Sequence, residues 1–213
     1  MGNVGGALVG YLLEAGVSKI IGSDISEAKI SQLLIKHAAH KDRLFLRVET
    51  SDTPLESSII SEECDIFSPC GFGGILHETS VPHIKAKIIC GAANNQLLDS
   101  RLDYGMHKQG IVYVPDFVCN RMGIVNCANE QYGSVGAMGS TKDPIVSRHL
   151  NKEWSHSVYQ VTEKVICMAK DRNIPTDEAA RELADVYAEE EHPIWGHRSK
   201  DIIQSLRDDG WAK

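Results

Sequence analysis

The chain is 213 residues long with a formal net charge of −7 and a pI of 5.7, long enough to bury the core of one α/β domain and carry a helical appendage. Its acidic balance, with Lys and Arg scattered rather than clustered, argues against a nucleic-acid partner. No apolar run approaches the roughly 18 residues of a membrane span and the first residues do not form a signal peptide, so the expectation is a soluble cytoplasmic protein with no membrane partner.

The first five residues, Met1-Gly2-Asn3-Val4-Gly5, read as the last five positions of a G-x-G-x-x-G dinucleotide-binding turn whose first glycine, and the strand before it, are absent from the sequence. Glycines in such a turn let the backbone approach a pyrophosphate, and the following helix offers its unpaired N–H groups to the anion. Gly2, Asn3, Val4 and Gly5 are therefore candidate cofactor-binding positions. The pattern predicts a helix with Leu8, Leu12 and Ala15 on its inner face, closed by Gly16, and then a buried strand over 17–24. That strand ends in Asp24, nineteen positions after Gly5. An acid at a spacing of about 20 accepts a hydrogen bond from the adenosine ribose 2′-OH, and its charge would repel a 2′-phosphate, so NAD is expected rather than NADP.

Four further strand candidates follow at 44–48, 64–70, 86–91 and 110–115, separated by helical patterns. The second stops at Pro69 and a Gly71, Gly73, Gly74 cluster. Strands alternating with helices predict a Rossmann-like, doubly wound, mostly parallel α/β sheet lacking its first strand. In the order 3-2-1-4-5-6 that strand is central, so the sheet is expected either to break between the strand ending at Asp24 and the one ending at Cys70, or to draw those two together. Residues 1–150 read as the nucleotide-binding domain and 151–213 as a helical extension. In the extension Val158, Val161, Val165 and Met168 form one apolar stripe, and Ala180, Leu183, Ala184 and Tyr187 another. Ser199 is expected to cap a last helix that buries Ile202, Ile203 and Leu206, with Glu189-Glu190-Glu191 a solvated end.

The six cysteines form no C-x-x-C pair and read as small core or surface residues, and His37-Ala-Ala-His40 as a solvated helix face rather than a metal site. Polar residues instead gather just beyond the C-terminal ends of the predicted strands, where open parallel sheets hold ligands: Pro69-Cys70-Gly71, Ala92-Ala93-Asn94-Asn95 and Asp116 to Asn120.

Gly2 to Gly5, Cys64-Asp65 to Pro69-Cys70, Lys87-Ile88-Ile89 leading to Ala93-Asn94-Asn95-Gln96-Leu97, and Gly110 to Asp116 together resemble the Glu/Leu/Phe/Val amino-acid dehydrogenase family. The nearest likeness is to the leucine/phenylalanine/valine branch, which the tail His192-Pro193-Ile194-Trp195-Gly196-His197-Arg198 also resembles. The resemblance implies oxidative deamination of an L-amino acid, branched-chain or aromatic, to a 2-oxo acid and ammonia, with NAD as cofactor and an oligomer in a full-length relative. It implies that Asn94 orients the nicotinamide carboxamide, that the Pro69-Cys70 backbone lines the nicotinamide pocket, and that Asn120 contacts the amino-acid group of the substrate.

In that family the acid–base lysines and an aspartate lie on a separate N-terminal domain that no segment here resembles. No catalytic residue is therefore assigned, and the chain alone is expected to be inactive. Asn120-Arg121-Met122-Gly123 also departs from the family's more usual Asn-Ala-Gly-Gly, and two larger side chains would change the pocket. Three alternatives stay open: the cofactor domain of an NAD-dependent amino-acid dehydrogenase, a noncatalytic NAD-binding or interaction module, and a decayed fragment.

Overall fold

Gly2 is the N-cap of the first helix, α1 (Asn3–Glu14), and the structure, a computed structural model, describes residues 2–132, 143–191 and 197–210. The helix ends as its sequence predicts. Gly16 takes a left-handed φ of 82°, its N–H bonds Leu13 O, and Val17 N–H reaches back to Leu12 O, so two otherwise orphaned carbonyls are satisfied. The buried face is Gly5, Gly6, Val9 and Leu13, one position round from the expected Leu8, Leu12 and Ala15. Both stripes are apolar, and periodicity could not choose between them. The two glycines have no side chains to hold the helix off the sheet, and Val9 and Leu13 pack with Ile20 and Leu44.

Strand β1 (Ile20–Asp24) is followed by α2 (Glu27–Lys36), whose first turn is capped by the Ser26 hydroxyl accepting from Lys29 N–H. Strand β2 (Leu44–Val48) then pairs parallel to β1, Ile20 opposite Leu44. His37 and His40 do not share a helix face, because α2 stops at Lys36 and 38–40 form a separate 3₁₀ turn.

Strands β3 (Ile66–Phe67), β4 (Ile88–Ile89) and β5 (Val112–Tyr113) form a second parallel sheet in that order, each shorter than the apolar run that contains it. Helix α3 (Arg101–Lys108) joins β4 to β5. The expected helices between β2 and β4 are replaced by short 3₁₀ turns at Leu55–Ser57, Ile59–Ser61 and Val81–His83. Between β3 and β4, Pro69, the glycines after it and Pro82 interrupt any helix. Leu76, Ile89, Met106 and Tyr113 are almost wholly excluded from solvent and form the centre of this half.

Among the described residues no ladder joins β1 to β3: β1 and β2 form one sheet and β3-β4-β5 another, with a break between them. The two halves are tied by Arg47 on β2, which bonds Glu49 and Glu62, while Glu49 accepts the N–H of Ile59. The architecture is a Rossmann-like α/β layer with a helical C-terminal part.

That part continues through α4 (Asp116–Cys119), α5 (Met122–Tyr132), α6 (Pro144–Leu150), α7 (Val158–Arg172), α8 (Thr176–Ala188) and α9 (Arg198–Asp208). Val161, Val165 and Ala169 of α7 pack on Ala179 and Ala180 of α8 and on Val118 of α4. Ala184 lies exposed. Ser199 is inside α9 rather than its cap, which is His197, and Ile202, Ile203 and Leu206 are 43–47% exposed rather than buried. Glu189 pairs with Lys200, and Glu190 with His156. Residues 192–196 of the tail motif lie outside the described residues. No described helix is long and apolar enough to cross a membrane.

Candidate functional site

Short strands deliver their polar residues to one place. β3 ends into Pro69-Cys70, β4 into Gly91 to Gln96, and β5 into Pro115 and α4, which carries the chain to Asn120. Pro69 O accepts the N–H of Ala93, and the approach is so close that a Cβ on Gly91 would lie 2.2 Å from Pro69 O. Glycine is required there for space rather than for φ. Gly73 also lies close against the next loop, where a Cβ would fall 2.7 Å from Asn94 O. Asp116 reaches across from α4 to accept Asn95 N–H at 2.8 Å, holding Asn95 at a left-handed φ of 50°.

The two predicted amides meet directly. Asn120 Nδ2 donates to Asn94 Oδ1 at 2.7 Å and lies within 3.3–3.4 Å of the carbonyls of Ala93 and Ala92. Asn120 has therefore turned its N–H groups onto the loop, leaving its oxygen as the atom suited to accept from a cationic group. Asn94 uses its oxygen and keeps its amide N–H groups for donation. Cys70 is half-buried, 3.9 Å from Ser68 Oγ.

Two residues that drew no individual attention in the sequence complete the cluster. Gln96, fully buried, donates from Nε2 to Gly91 O and Ala93 O. Cys119 donates to Gly91 O at 3.3 Å. The influence of the neighbouring Cys119 thiol holds the Cys90 thiol below its ordinary range against the opposing effect of burial, and the same pairing, with burial, holds the Cys119 thiol up. The cysteines were legible only as apolar-strand residues. Their meeting depends on β4 and α4 being neighbours.

The remaining candidates surround α1 and β1, across the break in the sheet. Gly2 has no capping side chain and a φ of −66° that any residue adopts, and among the described residues nothing beyond its chain neighbours lies within 4 Å of where its Cβ would be, so its N-cap sends no side chain to the first-turn N–H groups at Asn3, Val4 and Gly5. Asp24 closes β1 and accepts Ser26 N–H at 2.8 Å. Burial works to raise its pKa, but hydrogen bonds at the carboxylate, Ser26 N–H among them, and the charge of Lys29 outweigh it and hold Asp24 below the ordinary carboxyl range.

Arg121 does not crowd the Asn94 loop: its guanidinium donates to the backbone carbonyl of His156, ahead of α7, where burial lowers its pKa. The larger side chain is absorbed by the C-terminal helices.

Comparison with known proteins places the chain in a family. The model of the Glutamate/Leucine/Phenylalanine/Valine dehydrogenase family matches residues 1–190. The chain is 35% identical over 185 residues to leucine dehydrogenase of Geobacillus stearothermophilus, covering 87% of this chain and 44% of that protein. It is 34% identical over 186 residues to L-tryptophan dehydrogenase of Nostoc punctiforme, covering 87% of this chain and 46% of that one. The crystal structure of the latter superimposes with a TM-score of 0.69 at 31% identity, again over 87% of this chain and 48% of its own. The chain thus spans about half the length of the relatives it matches, and it belongs to the Glutamate/Leucine/Phenylalanine/Valine dehydrogenase family.

Proposed function

We propose that this chain is the cofactor-binding part of an NAD-dependent amino-acid dehydrogenase acting on an apolar L-amino acid, branched-chain or aromatic. The observation that carries the reading is the Asn120–Asn94 hydrogen bond, at which the ends of β4 and β5 meet beside Pro69-Cys70. The residues suit the cofactor. The uncapped first turn of α1 offers N–H donors to a pyrophosphate, Asp24 offers an acceptor to the ribose 2′-OH, and Asn94 offers an amide donor to the carboxamide. When bound, NAD supplies the acceptor for hydride from the substrate α-carbon.

The chain's own residues hold and orient. Asn120 Oδ1 is placed to accept from the substrate ammonium, and its N–H groups fix Asn94. Amides exchange no proton near neutral pH, so acid–base chemistry must come from other groups. The chain alone is therefore expected to bind NAD and to turn over no amino acid. The relatives named for leucine, valine and tryptophan support an apolar substrate.

Calorimetric titration of the purified chain with NAD and NADP tests this. NAD binding with NADP at least tenfold weaker is expected, the preference shrinking in Asp24→Ala. Equal affinity for the two, or an NAD affinity that Asp24→Ala leaves untouched, would refute the assignment. Oxidation of leucine, valine or phenylalanine by the chain alone would refute the division of labour.

A further inference from the structure

Gln96 is a costly residue for its position. The side chain is fully buried, and among the described residues its Oε1 has no hydrogen-bond partner, a deficit that an apolar side chain of the same volume would not carry. What the amide does make is specific. Nε2 directs its two hydrogens at Gly91 O, 2.8 Å away, and Ala93 O, 2.9 Å away, two carbonyls of the loop that leaves β4. At its own end Gln96 is anchored to the core, its carbonyl accepting the N–H of Leu76, a residue with no solvent exposure. The loop from Gly91 is thus closed into a ring by one side chain, and Asn94 lies within that ring, exposed.

Nothing else in the cluster can do this from within the loop. Asn120 and Cys119 also hold carbonyls 91–93, but both belong to α4 and its end, and would move with it. Gln96 adds to the loop's backbone bonds a side-chain tie from the core-anchored end of the loop back to its start.

We infer that Gln96 is a positioning residue for the nicotinamide end of the cofactor site, setting the direction of Asn94 without touching a ligand itself. This rests on the role given to Asn94 above. Removing the amide is expected to cost the fold little, because the unpartnered Oε1 leaves with it, and to cost nicotinamide placement a great deal.

The test uses the purified chain and two ligands. NADH reports the surroundings of its dihydronicotinamide by fluorescence, and ADP-ribose keeps the adenosine and pyrophosphate while lacking the nicotinamide. Gln96→Met is expected to unfold at no lower temperature than wild type, to lose most of the NADH fluorescence change with at least tenfold weaker NADH binding, and to bind ADP-ribose within twofold of wild type. Asn94→Ala should give the same pattern, and Gln96→Met combined with Asn94→Ala should be no worse than Asn94→Ala alone. Equal losses for both ligands, no loss for either, or additive losses in the double variant would overturn the inference and leave Gln96 a structural residue. If Gln96→Met does not fold, Gln96→Glu, which keeps the volume but faces the carbonyls with acceptors, decides by the same readouts. A wild-type chain that binds neither ligand overturns the cofactor reading itself, and the inference with it.

Discussion

The carboxylate of Asp103 on α3 accepts the backbone N–H of Asp177 at 2.8 Å, so that the first turn of α8 is capped by a residue 74 positions earlier in the chain. Helix α8 has no cap of its own, because its N-cap is Pro175. Thr176 adds a second tie by donating its hydroxyl to Tyr113 O at the end of β5. These bonds, with Val118 packed against α7, seat the C-terminal helices on the strand end that leads to Asn120.

Asp103 should make stability depend on pH. Burial pushes its carboxyl up to about 6, against the lowering effect of the Asp177 N–H bond. The folded state then holds the proton more tightly than the unfolded one, so this contribution is fully present below about pH 4 and is lost as pH rises through about 6. Asp103→Asn keeps an acceptor and removes the titration. It is expected to be more stable than wild type by on the order of 1–3 kcal/mol at pH 7.5, with the gain disappearing near pH 4. Parallel Tm-against-pH curves for the two proteins would contradict this.

Gly91→Ala and Gly2→Ala should behave oppositely. A Cβ at residue 91 has Pro69 O 2.2 Å away and Pro69 N 2.5 Å away, both backbone, and neither can give without moving β3 relative to β4. We expect a loss of about 3 kcal/mol or failure to fold. At residue 2 the Cβ meets nothing, so urea unfolding should shift by less than about 0.5 kcal/mol, while NAD affinity drops if the pyrophosphate lies against that face.

The Cys90–Cys119 pair makes Cys90 the thiol expected to react first at neutral pH. With iodoacetamide, labelling of Cys90 should follow a midpoint near 7, and in Cys119→Ala that midpoint should climb toward the ordinary cysteine value of about 8.5. Mass spectrometry of the labelled peptides reads the order. Preferential labelling of Cys127 and Cys167, the exposed cysteines, across the whole pH range would show that the neighbouring Cys119 thiol does not control reactivity.

Arg47 carries the link between the two halves of the sheet. Replacing it with Met keeps much of the aliphatic stem and removes the bonds to Glu49 and Glu62, leaving two half-buried carboxylates without their cation. A loss of about 1–3 kcal/mol is expected, with amide exchange accelerating in β1 and β2 before β4 and β5. Uniform acceleration across all strands would mean the halves do not open separately.

Local chemistry was enough to read much of this chain. Gly16 as the stop of α1, β2 at 44–48, Asp24 at the end of β1 and the stripe through Val161 and Val165 all follow from backbone sterics and apolar spacing acting over a few residues. The three polar clusters could be placed at strand ends because a parallel sheet puts all its strand C-termini on one side. What spacing could not express was which of two apolar stripes faces inward when both are apolar, as in α1, or whether a stripe is covered at all, as in α9. The destinations of Cys119, Asp103 and Arg121 were likewise decided only in three dimensions. Each bonds a backbone group brought near by strand order and helix packing, and a hydrogen-bond partner 28 or 74 residues away leaves no periodic trace in the sequence.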